Sequence, residues 1–384
     1  MIQAPATLGM LGGGQLGRFF VLAAHEMGYK VWVLDPDANS PAGVAADRHL
    51  RAEYDDMGAL NELAHACAAI TTEFENVPAS TLEYLARFVP VHPSAEAVAI
   101  CQHRIAEKTF LRDHGIPHAA FVAVNSEADL AAADDALFPG ILKVTRFGYD
   151  GKGQARVATR EEAIGALRAF HHEPCVLERM LPLDYEISVV LARGEDGQMS
   201  AFPPSENLHT RGILDVSASP VRSANDSSIV DEAVQWAGRI AEALDYIGTL
   251  GVEFFVAEGR LYVNEMAPRP HNSGHFTVDA CITSQYEQQV RALTGLPLGE
   301  ARAHSASVMV NLLGDVWYDE QGTLREPEWS ELTCEPTLKL HLYGKHQARP
   351  GRKMGHYTVV DSDPRRAYDI AMRTRRALGI RDED

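Results

Sequence analysis

Cysteine is scarce in this chain and follows no pattern. The five present (Cys67, Cys101, Cys175, Cys281, Cys334) are widely spaced, odd in number and free of any C-x-x-C pair. That argues against a disulfide framework or a zinc ribbon and favours a reducing, cytoplasmic setting. Long apolar runs are missing too. No window reaches about 18 uncharged apolar residues, so no membrane-spanning helix is expected. The opening stretch, MIQAPATLGMLGGG, has no basic n-region, so no secretory signal is expected there. Positive charge is in deficit: the formal net charge is −18. Such a chain repels nucleic acid and anionic lipid as a whole, which excludes both as general partners. Any phosphate-binding surface must therefore concentrate its basic residues locally. Internal repeats and low-complexity linkers are also absent.

What is present fills 384 residues. That exceeds one ordinary core and implies two or three closely packed subdomains. Thr7–Leu11 reads as a buried strand, 12–17 as a glycine turn, 15–27 as a helix closed by Gly28, and 31–35 as the next strand. Strands at 69–74 and 89–92 complete an open α/β unit. Ser94 predicts an N-cap for a helix running to Asp113, stopped by Gly115 and Pro117. Beyond it the pattern predicts strands at 140–145, 154–158, 175–178 and 185–193. Helices are predicted behind Thr159, over 226–244 and over 278–294. A hairpin pairs 250–256 with 260–265, and a last helix begins near Pro364.

Two glycine clusters invite phosphate. Gly12-Gly13-Gly14-Gln15-Leu16-Gly17 matches G-x-G-x-x-G after a strand, with Asp35 ending the next strand. It reads either as a dinucleotide fingerprint or as a tight turn whose amides bind another phosphate at a helix N-terminus. The second cluster follows Lys143 and is not a Walker A loop, because no GK[ST] opens a helix. Its three glycines with Lys152 among them suit a flap over phosphates, or else a plain hairpin turn. In the hairpin, Glu253 falls opposite Asn264 or Glu265. Two carboxylates in apolar strands repel unless a divalent cation lies between them, or unless the face is solvated. His271 and His275 have H-x3-H spacing. Pro268, Pro270 and Gly274 deny them one stable helix, which speaks against zinc. Lys345, Arg349, Arg352 and Lys353 place four cations within nine residues of an acidic chain. They form either a solvated loop or a collar for phosphate and carboxylate.

Lys143, the 148–154 loop, Glu178-Arg179-Met180-Leu181, Glu186, Glu253 and Asn264-Glu265 resemble the ATP-grasp superfamily in order and spacing. The motifs GGGQLGR (12–18), FENV (74–77), GYDGKGQ (148–154), ENLH (206–209), NEMAPRPHNSGH (264–275) and RPGRKMGH (349–356) narrow the resemblance to the 5-(carboxyamino)imidazole ribonucleotide synthases. It spans essentially the whole chain, with 315–337 the least recognisable part.

The resemblance implies an α/β chain, α+β overall, with an ATP-grasp fold. An N-terminal open parallel-sheet domain (1–103) would bind the ribonucleotide. The ATP-grasp domain (104–300) would carry a mobile flap (140–175). A small C-terminal domain (301–384) would add basic residues. ATP would lie on Arg104, Lys143, the loop Gly148, Tyr149, Asp150, Gly151, Lys152, Gly153 and Gln154, the adenine segment Glu178, Arg179, Met180 and Leu181, then Glu186, His209, Asn264 and Glu265. Glu253 and Glu265 would bind Mg²⁺, with Mn²⁺ as an alternative. Gly14, Gln15, Leu16, Glu73, Asn76, His271, Asn272, Ser273, Lys345, Arg349 and Arg352 would bind the ribonucleotide or bicarbonate. Asp150 would take the amine proton, and Lys345 and Arg352 would steady the new carboxylate. The implied reaction is ATP- and bicarbonate-dependent carboxylation of aminoimidazole ribonucleotide through carboxyphosphate, in purine synthesis, by a homodimer. Three rivals remain: an ATP-grasp ligase using glycinamide ribonucleotide or biotin, an NAD-dependent dehydrogenase resting on 12–17 and Asp35, and a non-catalytic protein on the same scaffold.

Overall fold

The computed structural model describes residues 1–146, 153–224, 227–319 and 321–380. The first unit is a parallel sheet of β1 (Thr7–Leu11), β2 (Lys30–Leu34), β3 (Arg48–Leu50) and β4 (Ala69–Thr72), in the order β3-β2-β1-β4. Its central strands are largely buried because helices cover both faces. Leu8, Met10, Val31 and Val33 pack against Phe20 and Val21 of the Gln15–Glu26 helix. Leu11, Leu34 and Ile70 pack against Leu60, Leu63 and Leu82 on the other side. The chain reverses its sheet order between β1 and β4. The crevice beyond their C-terminal ends is where open α/β sheets take ligands, and the glycine turn and Glu73 both lie there.

A second, antiparallel sheet has the order β5-β8-β6-β7, from β5 (Phe121–Val124), β6 (Gly140–Val144), β7 (Gln154–Val157) and β8 (Cys175–Arg179). The third sheet is nine-stranded. It runs β14-β13-β9-β11-β12-β15-β17-β16, with β10 paired to β9. Its strands are β9 (Leu183–Arg193), β10 (Met199–Ala201), β11 (Ser205–Thr210), β12 (Ile213–Ser219), β13 (Gly248–Ala257), β14 (Arg260–Ala267), β15 (Ala306–Leu313), β16 (Leu338–Leu342) and β17 (Lys353–Asp361). β12 pairs directly with β15, so one sheet runs continuously past residue 300. Tyr286, Val290 and Leu293 of the Gln285–Thr294 helix join the core of the first unit. That helix also packs on β9 and β13, so it joins the first sheet to the third.

Three expectations need correction. The helix foreseen from Ser94 to Asp113 is two, Ala95–Cys101 and Arg104–Asp113. His103 breaks it by capping the second, where its ring accepts from the Ala106 N–H. The helix foreseen over 278–294 is Thr277–Ala280 and Gln285–Thr294. Cys281 there bridges to Ala303, and Ser284 caps the second helix. The strand foreseen at 89–92 is a single bridge from Val91 to Ile70.

Candidate active site

The glycine turn is packed from below by two carboxylates. Gly13 N donates to Asp35 Oδ2 at 2.7 Å, and Gly14 N and Gly17 N donate to Glu73 Oε1 and Oε2 at 2.5 and 3.1 Å. A Cβ on Gly14 would stand 2.6 Å from Glu73 Oε1, so no other residue fits that approach. Burial pushes the Glu73 carboxyl above its usual range, and the two amides hold it down only in part. Asp35 also accepts from Tyr54 OH and from Asp37 N. Its oxygens are committed to the turn, which removes the ribose contact that the dehydrogenase reading required. The N–H groups of Gln15 and Leu16 belong to the first turn of the helix, where backbone amides have no intrahelical partner.

The basic run meets this turn from the C-terminal side. Lys345 Nζ donates to Gln15 Oε1 at 2.8 Å and to Lys353 O at 2.7 Å. Arg349 and Arg352 instead turn onto their own loop, where both donate to Gln347: Arg349 to its Oε1 and Arg352 to its carbonyl. Asn76 is half-buried beside Glu75.

A second charged cluster is built on β6, β8 and the Arg104–Asp113 helix. Lys143 Nζ lies 3.1 Å from Glu178 Oε1, and Lys108 Nζ lies 3.3 Å from Glu178 Oε2, all three buried. Burial works to raise the Glu178 carboxyl, but Lys108 and Lys143 overcome it and hold it at about 2. Burial also lowers the Lys143 ammonium below its usual range, against the opposing pull of Glu178. Glu178 thus points at lysines, within a strand paired on both sides. The N–H groups of Arg179 and Met180 are bonded to Ala120 O and Pro139 O, and Leu181 follows where the pairing ends. Gly153 and Gln154 lie at the start of β7. Gly148, Tyr149, Asp150, Gly151 and Lys152 lie outside the described residues.

The carboxylate pair depends on a fault in the hairpin. Phe254 faces Val263, but the next pair is Glu253 with Glu265, so Asn264 is the extra residue of a β-bulge. The bulge brings Asn264 and Glu265 to the same half-exposed face as Glu253. His271 Nε2 stands 3.2 Å from Glu253 Oε1, and Arg104 Nη1 stands 3.5 Å from Glu265 Oε2. Burial alone would raise the Glu253 carboxyl; His271, His209 and Lys353 bring it down to about 2. An all-oxygen donor set of two carboxylates and one amide fits a hard divalent cation. Glu186 Oε2 faces His209 Nδ1 at 2.9 Å. Burial disfavours the imidazolium, yet Glu186 and Glu253 hold His209 up at about 9. Its stabilisation is therefore complete below the ordinary imidazole range and is lost as pH rises through about 9. Stability is expected to fall over that upper window, and His209→Asn to abolish that limb of the profile in denaturant melts across pH.

The loop after β14 joins the two halves. Gly251 lets it come close, since a Cβ there would stand 2.7 Å from His271 Cβ. His271 Nδ1 bonds Ser273 Oγ at 2.8 Å, and Ser273 receives a 2.6 Å bond from Ser188 Oγ, itself bonded by Asn207 Nδ2. Both side-chain amide atoms of Asn272 are buried with no protein partner. His275 turns the other way, to Tyr286 OH at 2.6 Å and a stack on His356. The H-x3-H pair therefore does not converge. Among the described residues, Asp279, His341 and His356 are close enough to suggest a metal. The rings of His341 and His356 stack at 4.6 Å and 24°, so their in-plane lone pairs run side by side instead of meeting at one ion.

Sequence reasoning gave no role to Arg269, Glu75, Glu107 or Lys108, and placed Lys353 only within the basic run. Arg269 binds Glu75 through Nε at 2.9 Å and through Nη2. Burial would raise the Glu75 carboxyl, and Arg269 holds it below its usual range. Lys353 lies near enough to Glu75, Glu253 and His209 to act on all three. Burial pushes Glu107 up to about 8, against Lys108. Lys108 could have been found from its i, i+4 spacing to Arg104. The others needed the fold.

Three family models together match most of this chain. Residues 5–102 match a ribonucleotide synthetase preATP-grasp domain, 109–286 an ATP-grasp domain, and 307–369 a phosphoribosylaminoimidazole carboxylase C-terminal domain. The N5-carboxyaminoimidazole ribonucleotide synthase of Brucella melitensis is 45% identical over 94% of this chain and 97% of its own length. The crystal structure of an N5-carboxyaminoimidazole ribonucleotide synthetase with ADP superposes with a TM-score of 0.90 at 39% identity, covering 99% of this chain and 98% of that one. The Aspergillus clavatus synthase bound to ADP and 5-aminoimidazole ribonucleotide gives 0.87 at 31% identity, covering 97% and 98%. A likeness that runs the length of all three sheets, at these identities, places the chain in the N5-carboxyaminoimidazole ribonucleotide synthase family of ATP-grasp enzymes.

Proposed function

We propose that this chain uses ATP to carboxylate 5-aminoimidazole ribonucleotide, forming N5-carboxyaminoimidazole ribonucleotide, ADP and phosphate in purine biosynthesis. One observation carries the assignment to this site: His271, on the acceptor loop, contacts Glu253 on the hairpin that faces Arg104. The two half-sites share a wall. Arg104 and Lys143 would bind the nucleotide phosphates, with Glu186 and His209 beside the ribose. Leu181 N–H would take an adenine acceptor. The amides of Gln15 and Leu16, with Lys345, would hold the ribonucleotide phosphate. Glu253, Glu265 and Asn264 fit Mg²⁺, which would neutralise phosphate charge. Mn²⁺ has the same donor preference.

Bicarbonate is a weak nucleophile, and transfer of the γ-phosphoryl group to it needs alignment and charge neutralisation above all. The exocyclic amine then forms the new C–N bond and phosphate leaves with one bicarbonate oxygen. Asp150 is our candidate to take the amine proton, and Lys345 and Arg352 to steady the carboxylate. With ¹⁸O-labelled bicarbonate, one ¹⁸O per turnover is expected in inorganic phosphate; unlabelled phosphate would rule out carboxyphosphate. The wider reading is a cytoplasmic homodimer, supported by the resemblance and the unpatterned cysteines, and checked by sedimentation. No helix among the described residues is long and apolar enough to cross a membrane.

Asn272 supplies a separate test. Its buried amide lacks protein partners, so Asn272→Ala should leave the melting temperature nearly unchanged. The same change should raise KM for the ribonucleotide about tenfold while KM for ATP holds, because the partner it loses is the substrate.

A further inference from the structure

The Arg104–Asp113 helix sets Arg104, Glu107 and Lys108 on one face, at spacings of three and four. All three reach β14 at or beside its bulge. Arg104 contacts Glu265. Lys108 Nζ donates to Asn264 O at 2.9 Å and to Val263 O at 3.3 Å. Glu107 Oε1 accepts from Met266 N at 2.6 Å. Glu107 and Lys108 are 2% and 1% exposed, so both are desolvated at a cost that needs a reason.

The bulge supplies that reason. An extra residue disrupts the ladder around it and leaves backbone groups there in need of partners. Here Lys108 meets the carbonyls before and at Asn264, and Glu107 meets the amide just past Glu265. Without them β14 can relax towards regular pairing, with Asn264 opposite Glu253. A one-residue slip sends a side chain to the other face of a sheet, so Glu265 would leave the face it shares with Glu253.

We infer that Glu107 and Lys108 are positioning residues: they clamp the β14 bulge from the helix and so hold Glu265 beside Glu253 for the divalent cation. This rests on the carboxylating reading above. Lys108 also touches Glu178, so the clamp ties the cation face to the lysine pair on the phosphate side.

The test is calorimetric ATP binding by the full chain at a series of Mg²⁺ concentrations, with thermal unfolding alongside. Glu107→Leu should raise the Mg²⁺ concentration for half-maximal enhancement of ATP binding at least tenfold, as loss of a supporting contact does at metal sites. Metal-free ATP binding should change less than about twofold. Glu107→Gln keeps an acceptor for Met266 N and should restore the wild-type Mg²⁺ dependence. Lys108→Met should shift it in the same direction as Glu107→Leu. An unchanged Mg²⁺ dependence in folded Glu107→Leu would overturn the inference, as would equal losses with and without metal. Failure of both Glu107→Leu and Lys108→Met to fold would also overturn it, marking the pair as a folding element. If the wild type itself bound ATP without regard to Mg²⁺, the metal reading would fail instead.

Discussion

Glu253→Gln is expected to lower kcat/KM by roughly 10²–10³-fold, with both substrates affected. The change keeps the shape of the side chain and removes its charge. It weakens the cation face shared with Glu265 and loosens His271, which orients the acceptor loop through Ser273. A residue on the ATP side alone would move KM for ATP and leave the ribonucleotide untouched. Steady-state kinetics with each substrate varied, repeated at several Mg²⁺ concentrations, separate the two cases. Excess Mg²⁺ should recover part of the loss. Folding should change little, because glutamine keeps the size of the side chain and an oxygen opposite His271 Nε2. Activity within threefold of wild type would mean that Glu253 does not serve the cation.

Lys143→Met should have a comparable effect on catalysis and a larger one on stability. The ammonium is 3.1 Å from Glu178, in a buried cluster where one partner's loss leaves charge uncompensated. Breaking such a pair costs on the order of 3–5 kcal/mol, and Lys108, still on Glu178, should keep the loss near the lower end. The pH dependence gives an independent check. Glu178 is held at about 2, well below an ordinary carboxyl, so its contribution is present above the unfolded range and fades as pH falls through about 2. The gap between wild type and Lys143→Met should therefore be widest near neutral pH and narrow on acidification, as denaturant melts across pH would show. A constant gap would assign the loss to packing. At neutral pH the variant should also lose ATP affinity, since the cation proposed to meet the phosphates is gone.

Much of this site was legible before the fold was known, and the limits were local. Periodicity located the strands carrying Lys143, Glu178, Glu253 and Glu265, because apolar residues flank each of them. It missed the break at His103, where the break itself sets Arg104 at a helix start facing Glu265. It also merged the two helices on either side of Cys281. The hairpin was foreseen with Glu253 opposite either Asn264 or Glu265. The bulge decides for Glu265, and nothing in the strand sequence reveals it, because the groups that stabilise it lie on a helix some 155 residues away along the chain, as the Lys108–Val263 contact shows. The glycine turn was read in two ways from its motif. Only the bonds from Gly13 to Asp35 and from Gly14 and Gly17 to Glu73 show why Asp35 is unavailable to a dinucleotide. The Arg269–Glu75 pair joins residues far apart in sequence, and its motif context gave no hint of a partner.

The most direct test of the central claim is ADP formation by the purified chain with ATP, Mg²⁺ and bicarbonate, with and without 5-aminoimidazole ribonucleotide. Slow ADP release is expected without the ribonucleotide and strong stimulation with it, matched by one carboxylated product per ADP. No stimulation by that ribonucleotide, or stimulation by glycinamide ribonucleotide or biotin in its place, would contradict the carboxylating assignment.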